Sequence, residues 1–182
     1  MSDVGPPLQR IVLIGFMGSG KSTVGPLVAR RLGWTFADLD AEVEADQGRR
    51  VADIFAALGE AAFRRAEQAA AERVTARTRV VVAAGGGAFT ERGTRAALQK
   101  GALTVWLRCA LDALLTRIPA DGSRPLAANR ATIGALLRSR EADYALADLT
   151  VDTTRTPPEV VASVIAAAAR GGLDEGGGTT EG

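Results

Sequence analysis

The sequence predicts an α/β fold in which a parallel sheet is covered by helices on both faces. Two observations predict it. Short runs that are apolar at every position, such as Ile11-Val12-Leu13-Ile14 and Val80-Val81-Val82-Ala83-Ala84, alternate with longer segments of helical periodicity. A strand with one wet face alternates apolar and polar residues, so a wholly apolar run belongs to a strand buried on both sides. In addition, a glycine-rich octet from Gly15 to Ser22 joins the first apolar run directly to the first helical segment. Strand, tight loop and helix in immediate succession are the unit from which such sheets are built.

The elements follow in order. Ile11 to Ile14 reads as a buried strand, and a helix follows from about Lys21 to Leu32. Pro26 lies inside that helix, where it forfeits a hydrogen bond and crowds the preceding turn, so a bend or tightened first turn is expected. Thr35 to Leu39 is a second short strand. Val43 to Phe55 and Glu60 to Thr75 carry helical patterns, and Val80 to Ala84 is a third strand. Thr90 to Lys100 reads as a helix, Leu103 to Leu107 as a strand and Leu111 to Ile118 as a helix. A polar stretch with proline and glycine, 119–129, interrupts the alternation. Ile133 to Leu146 is helical, Leu149 to Asp152 is the last strand, and Pro158 to Arg170 is a closing helix. Pro158 falls near the first turn, where a missing N–H matters least. Residues 1–9 and the Gly-rich tail 171–182 offer little to bury and are expected to be flexible, leaving one domain over 10–170.

Bulk composition excludes several classes. A chain of 182 residues suits a single domain with a real core. Its net charge of +1 advertises neither nucleic acid nor a membrane surface as partner. There is no histidine, which removes a His base and any His-ligated metal. The single cysteine, Cys109, lies in an apolar run and reads as a core residue. No apolar stretch approaches the ~20 residues that span a bilayer. Residues 1–10 lack the charged and apolar regions of a signal peptide, so cytoplasmic residence is expected. No heptad or exposed apolar stripe demands a partner, and a monomer is expected.

The octet Gly15-Phe16-Met17-Gly18-Ser19-Gly20-Lys21-Ser22 fits G-x-x-x-x-G-K-[ST], the P-loop pattern, in the strand-to-helix context that the motif requires. Glycines let backbone N–H groups turn inward around phosphates, and the helix N-terminus adds partial positive charge. Lys21 would reach the β- and γ-phosphates of ATP, and the Ser22 hydroxyl is placed to ligate Mg²⁺. Gly18, Ser19, Gly20 and Thr23 complete the expected nucleotide contacts. Only Lys21 and Lys100 are lysines, so one of two falls at this place. The third strand ends in Gly85-Gly86-Gly87 where many P-loop proteins carry an aspartate, and N-K-x-D is absent. Both absences point away from GTPases and motors, toward kinases of small metabolites or nucleotides.

Facing that cradle, Asp38-Leu39-Asp40 closes the second strand. Residues two apart on a strand share a face, so both carboxylates could enter one cleft at the carboxyl end of the sheet. One would orient Mg²⁺-bound water while the other accepts a proton from an attacking hydroxyl. Equally, the pair could be solvated, or Asp40 could cap the next helix. Glu60 and Arg64, four apart, read as a surface ion pair, and Arg140 with Tyr144 as an ordinary solvated helix face. The three glycines 85 to 87 open a place where another molecule can approach the backbone, or form a sharp turn. Ser123-Arg124-Pro125-Leu126 sits in the polar interruption, where a mobile loop could close over ATP and bring Arg124 to the transferring group.

Together these motifs resemble the shikimate kinase family over about Arg10 to Arg170: P-loop, D-x-D, G-E-x-x-F-R, G-G-G, R-P-L in a lid and R-x-x-x-Y, in that order. The resemblance implies a three-layer α/β/α P-loop kinase fold with a five-stranded parallel sheet and a mobile lid at about 119–129. It implies phosphorylation of the 3-hydroxyl of shikimate by ATP, with one Mg²⁺ per site, in the shikimate pathway of aromatic amino-acid biosynthesis. Asp40 matches the proposed base that binds the shikimate hydroxyls, and Asp38 the residue near Mg²⁺ and its waters. Arg64 and Arg140 match the pair that holds the substrate carboxylate, a task for which a planar guanidinium fork suits better than lysine. Gly86, flanked by Gly85 and Gly87, matches a contact to a ring hydroxyl. Arg124 matches the lid arginine at the phosphates; Arg117 and Arg155 match positions near the adenine. The chain departs from the family at Pro26 and in reading R-P-L-A at the lid. Alternative readings are another small-metabolite kinase, such as a gluconate kinase, and a nucleotide-binding module without turnover.

Overall fold

Ile11, Val12, Leu13 and Ile14 are all fully buried, and their alternation is the key to the layers. Ile11 and Leu13 face one side of the sheet and Val12 and Ile14 the other, each joining a different apolar cluster. A strand needs this wholly apolar composition because both of its faces are roofed. The computed structural model describes residues 8–118 and 130–174. Residues 1–7, the expected lid 119–129 with Arg124, and 175–182 of the expected tail lie outside them.

Strands β1 (Arg10–Ile14), β2 (Thr35–Asp38), β3 (Val80–Ala83), β4 (Ala102–Arg108) and β5 (Leu149–Asp152) form one sheet in the order β2-β3-β1-β4-β5. Every pairing is parallel, with Val12 opposite Val82 on one side and Thr104 on the other. Helices α1 (Lys21–Leu32) and α7 (Pro158–Asp174) cover one face, where Val24, Val28, Val161 and Ile165 meet Ile11 and Leu13. The other face is covered by α2 (Leu39–Gln47), α3 (Val51–Thr75), α4 (Arg92–Gln99), α5 (Leu111–Arg117) and α6 (Arg130–Tyr144). The result is the three-layer α/β/α fold with a five-stranded parallel sheet. Among the described residues, no helix is long and apolar enough to cross a membrane.

Local chemistry moves several boundaries. The helical pattern from Val43 to Phe55 is broken at Gly48, whose φ of 62° ends α2 in a left-handed cap. The gap expected between Phe55 and Glu60 is a kink at Gly59 (φ 79°, ψ 174°), and α3 resumes beyond it. That backbone conformation lies in territory that β-carbon sterics all but close to other residues. The second strand stops at Asp38, not Leu39. Asp38 accepts hydrogen bonds from the Asp40 and Ala41 N–H groups at 3.0 and 3.3 Å and so becomes the N-cap of α2. Pro26 sits within an α1 that spans Lys21–Leu32, and its missing N–H leaves the Ser22 carbonyl without the usual helical donor. Helix α7 continues to Asp174, beyond the boundary expected at Arg170.

Candidate active site

The sheet order places β1 between β3 and β4, so successive connections leave it in opposite directions. A crevice opens outside the carboxyl ends of the strands at such a switch point. Here it is a cleft of about 460 Å³. The β1–α1 loop forms its floor, with Gly18, Ser19, Gly20, Lys21, Ser22 and Thr23 all lining it. Gly18 and Gly20 hold φ of 79° and 103°, left-handed values that curl the loop. The Lys21 ammonium donates to the Gly15 and Phe16 carbonyls at 2.7 and 3.1 Å and folds back over the loop. Ser19 is 1% exposed and its Oγ has no hydrogen-bond partner. A buried hydroxyl left unmet costs about 1–3 kcal/mol, so the loop is built for an occupant that brings acceptors.

The cleft's far wall brings the carboxylates to the loop by a route different from the one the strand spacing suggested. Asp38 ends β2, and its Oδ2 accepts from Ser22 Oγ at 3.2 Å. Asp40 lies in the first turn of α2, yet both aspartates line the same cleft. Residues 83 to 86 continue this wall after β3. A β-carbon on Gly85 would stand 2.9 Å from Asp40 Oδ1 and 3.3 Å from Glu67 Oε1. The glycine run therefore opens close approach between backbone and carboxylates.

Two arginines converge on the same glycines. A β-carbon on Gly87 would stand 2.7 Å from Arg64 Nη1, and one on Gly86 3.0 Å from Arg140 Nη1. Arg64, on the first turn after the Gly59 kink, is not a surface residue. Its side chain is 18% exposed, and its main partner is Glu67 at 2.7 Å, with Glu60 at 3.4 Å and Glu91 at 4.0 Å. Arg64 Nε is buried and has no hydrogen-bond partner among the described residues. Glu67 is almost wholly buried, and that burial pushes its carboxyl up from 4.5 to about 7, against the opposing pull of Arg64. Arg140 is half-buried with its guanidinium 5.6 Å from the Phe16 ring centre. Tyr144 is fully buried and donates to the Gly86 carbonyl at 2.5 Å, so Arg140 and Tyr144 are not a solvated face. Burial pushes the Tyr144 phenol up to about 12, keeping it a donor.

Arg117 lines the opposite end, where its Nη2 donates to the Thr153 and Thr154 carbonyls at 3.0 and 3.1 Å. Arg155 is exposed in the same turn but does not line the cleft. Two groups escaped the sequence reading. Glu67 stood three residues after Arg64 on a helix, a spacing that signals a pair. Thr153 gave no such signal: its hydroxyl donates to the Ser19 carbonyl at 3.0 Å and ties β5 to the loop. Among the described residues no group of three His, Cys, Asp or Glu side chains could hold a metal ion.

A phosphate loop opening a helix, a paired aspartate wall and a separate cationic end define a P-loop kinase for a small acidic substrate. The comparisons with known proteins give the family. The shikimate kinase family model matches residues 17–169. A shikimate kinase of Moorella thermoacetica is 45% identical over 166 residues, covering 90% of this chain and 96% of the relative. Among solved structures, the chain is similar to shikimate kinase from Acinetobacter baumannii in complex with shikimate, with TM-score 0.85, 33% identity and coverage of 90% and 94%. It is also similar to that from Aquifex aeolicus, with TM-score 0.80, 34% identity and coverage of 92% and 99%. The chain belongs to the shikimate kinase family.

Proposed function

We propose that the chain transfers the γ-phosphoryl group of ATP to the 3-hydroxyl of shikimate, giving shikimate 3-phosphate and ADP. One observation carries the reading. Arg64 and Arg140 stand against adjacent glycines across from the phosphate loop, and Arg64 Nε is a buried donor with no hydrogen bond among the described residues. Two guanidinium forks at the end of a cleft already floored by a phosphate loop call for a substrate with a carboxylate, oriented by bidentate hydrogen bonds.

The loop N–H groups and the α1 terminus hold the phosphates, while the Lys21 ammonium moves from the loop carbonyls to the β- and γ-oxygens. Arg64 and Arg140 hold the carboxylate, and the glycine run at 85 to 87 admits the hydroxylated ring. Asp40 accepts the proton of the 3-hydroxyl as its oxygen bonds to phosphorus and the bond to ADP breaks. Arg117, which lines the cleft, would flank the adenine; the same role for Arg155, which lies outside the cleft lining, rests on the family motif alone. Arg124, outside the described residues, would close on the phosphates from the lid; this role rests on the R-P-L motif. Ser22 and Asp38 fit one Mg²⁺, an ion that takes one or two protein ligands and leaves other positions to water and phosphate. When bound, the ion would neutralise phosphate charge, with Ser22 and Asp38 as the residues that would hold it. The Ser22–Asp38 contact at 3.2 Å supports that placement.

A coupled assay of ADP release, with shikimate and gluconate compared side by side, tests the reading. Turnover with shikimate and not with gluconate is expected. Equal turnover would assign a broader hydroxy-acid kinase, and nucleotide binding without turnover on either would leave only a binding module.

A further inference from the structure

A second cavity, of about 380 Å³, opens at the other end of the sheet. Leu8, Trp34 and Arg79 enter it from just before β1, β2 and β3, and Arg31, Leu32 and Arg170 close it from α1 and α7. Helix α1 has 12 residues and runs from Lys21 to this cavity. At 1.5 Å per residue that separates the two sites by about 18 Å, so the cavity is no part of the kinase cleft.

Its chemistry is one-sided. Three guanidinium groups line it, and Glu159, which Arg31 binds at 2.7 Å, stands 3.8 Å from Arg30 as well. Arg170 makes one hydrogen bond, to the Arg31 carbonyl at 2.8 Å, and no ion pair with a described residue. The Arg79 side chain has no hydrogen bond or ion pair with any described residue. Arg31 Nε is buried without a partner. Complementing the carboxyl end of α1 accounts for Arg31 in its last turn and for Arg170, which donates to the Arg31 carbonyl. It does not account for Arg79, which lies outside any helix at φ 54°, an uncommon conformation for a residue with a β-carbon. Trp34 packs on the α1–α7 apolar cluster and lines the cavity, and its indole N–H has no partner among the described residues.

We propose that this cavity binds a small organic anion that carries a flat ring. The ring lies against Trp34, Leu8 and Leu32, and the anionic group meets Arg79 and Arg170. Guanidinium groups favour carboxylates through charge-assisted pairs, and an indole favours a planar apolar neighbour. The volume lies toward the small end of ligand pockets, which suits a single-ring acid.

Benzoate is the probe. The chain has two tryptophans, so its ¹H–¹⁵N spectrum carries two indole resonances, assigned with Trp34→Phe. Benzoate is titrated into the full chain with shikimate held saturating, so that the arginines of the kinase cleft are occupied. A saturable shift of the Trp34 indole, with Trp106 unmoved, is expected. In the Arg79→Ala/Arg170→Ala variant the midpoint should rise at least about tenfold, the loss of two charge-assisted contacts, while shikimate turnover is unchanged. Acetate should give no saturable shift. The proposal is overturned if benzoate leaves Trp34 unmoved, if the double variant binds it equally, or if acetate binds as well as benzoate.

Discussion

Arg64 meets two demands through different atoms of one guanidinium. Nη1 is held by Glu67 at 2.7 Å, while the buried Nε has the Glu91 carboxylate at 4.0 Å and no hydrogen bond among the described residues. Lysine could keep the ion pair but not present a second donor in a fixed plane. Arg64→Lys should therefore raise KM for shikimate by at least about tenfold, the scale of a lost charge-assisted hydrogen bond, with KM for ATP little changed. A near-normal KM for shikimate would refute the carboxylate clamp. Glu67 adds a pH signature. Its carboxyl titrates at about 7 in the fold against an ordinary 4.5, so the folded chain binds more protons than the unfolded one between those values. Stability then falls as pH rises through that window, because unfolding releases the carboxylate to water. Glu67→Gln removes the titration. Urea unfolding at pH 5 and pH 8 should show wild type losing more stability than the variant; parallel losses would show that Glu67 stays ionised throughout.

At the scale of elements, the helix–sheet contact through Gly25 sets how closely α1 lies on the sheet. A β-carbon there would run into the Phe36 ring, 2.8 Å from Cδ2 and 3.2 Å from Cζ. Alanine would improve helix propensity by about 1 kcal/mol, but overpacking commonly costs about 1–3 kcal/mol. Gly25→Ala is therefore expected to lower the urea midpoint, and a raised midpoint would mean that Phe36 swings aside. Such contacts also explain what sequence could and could not convey. Helix α1 has the expected bounds because a phosphate-loop octet is a local signal, and β5 has them because its Leu149-Thr150-Val151-Asp152 alternation is one too. The spacing leaves Asp38 and Asp40 on one strand face or Asp40 as a helix cap, because a capping aspartate ends a strand as readily as it extends one; the hydrogen bonds that make Asp38 the cap are local only after folding. The Arg140–Tyr144 spacing looked solvated because nothing within α6 shows that the Gly86 carbonyl, 58 residues earlier in the chain, accepts the Tyr144 proton. Gly59 kinks α3 in the gap that the sequence pattern left between Phe55 and Glu60, whereas Gly48 ends α2 at a position where periodicity alone runs on.

For the whole molecule, the proposed reading sends the two substrates to different parts of one cleft. Nucleotide contacts would come from the β1–α1 loop and the turn after β5, which the Thr153–Ser19 hydrogen bond joins. Acid-binding groups would come from α3, α6 and the residues after β3. Each ligand that binds only the folded state should stabilise it independently, by about 2.7 kcal/mol at a hundredfold excess over Kd. For a domain of this size that corresponds to a rise in Tm of about 5–10 °C. Lys21→Ala separates the two. It removes the ammonium that meets the phosphates and also frees the Gly15 and Phe16 carbonyls, so the unliganded variant should melt below wild type. Measured against its own baseline, the variant should lose most of the ATP-induced rise and keep the shikimate-induced one. Retention of the full ATP shift would place the nucleotide elsewhere than the loop, while loss of both shifts would show that the loop and the arginine end form a single cooperative unit.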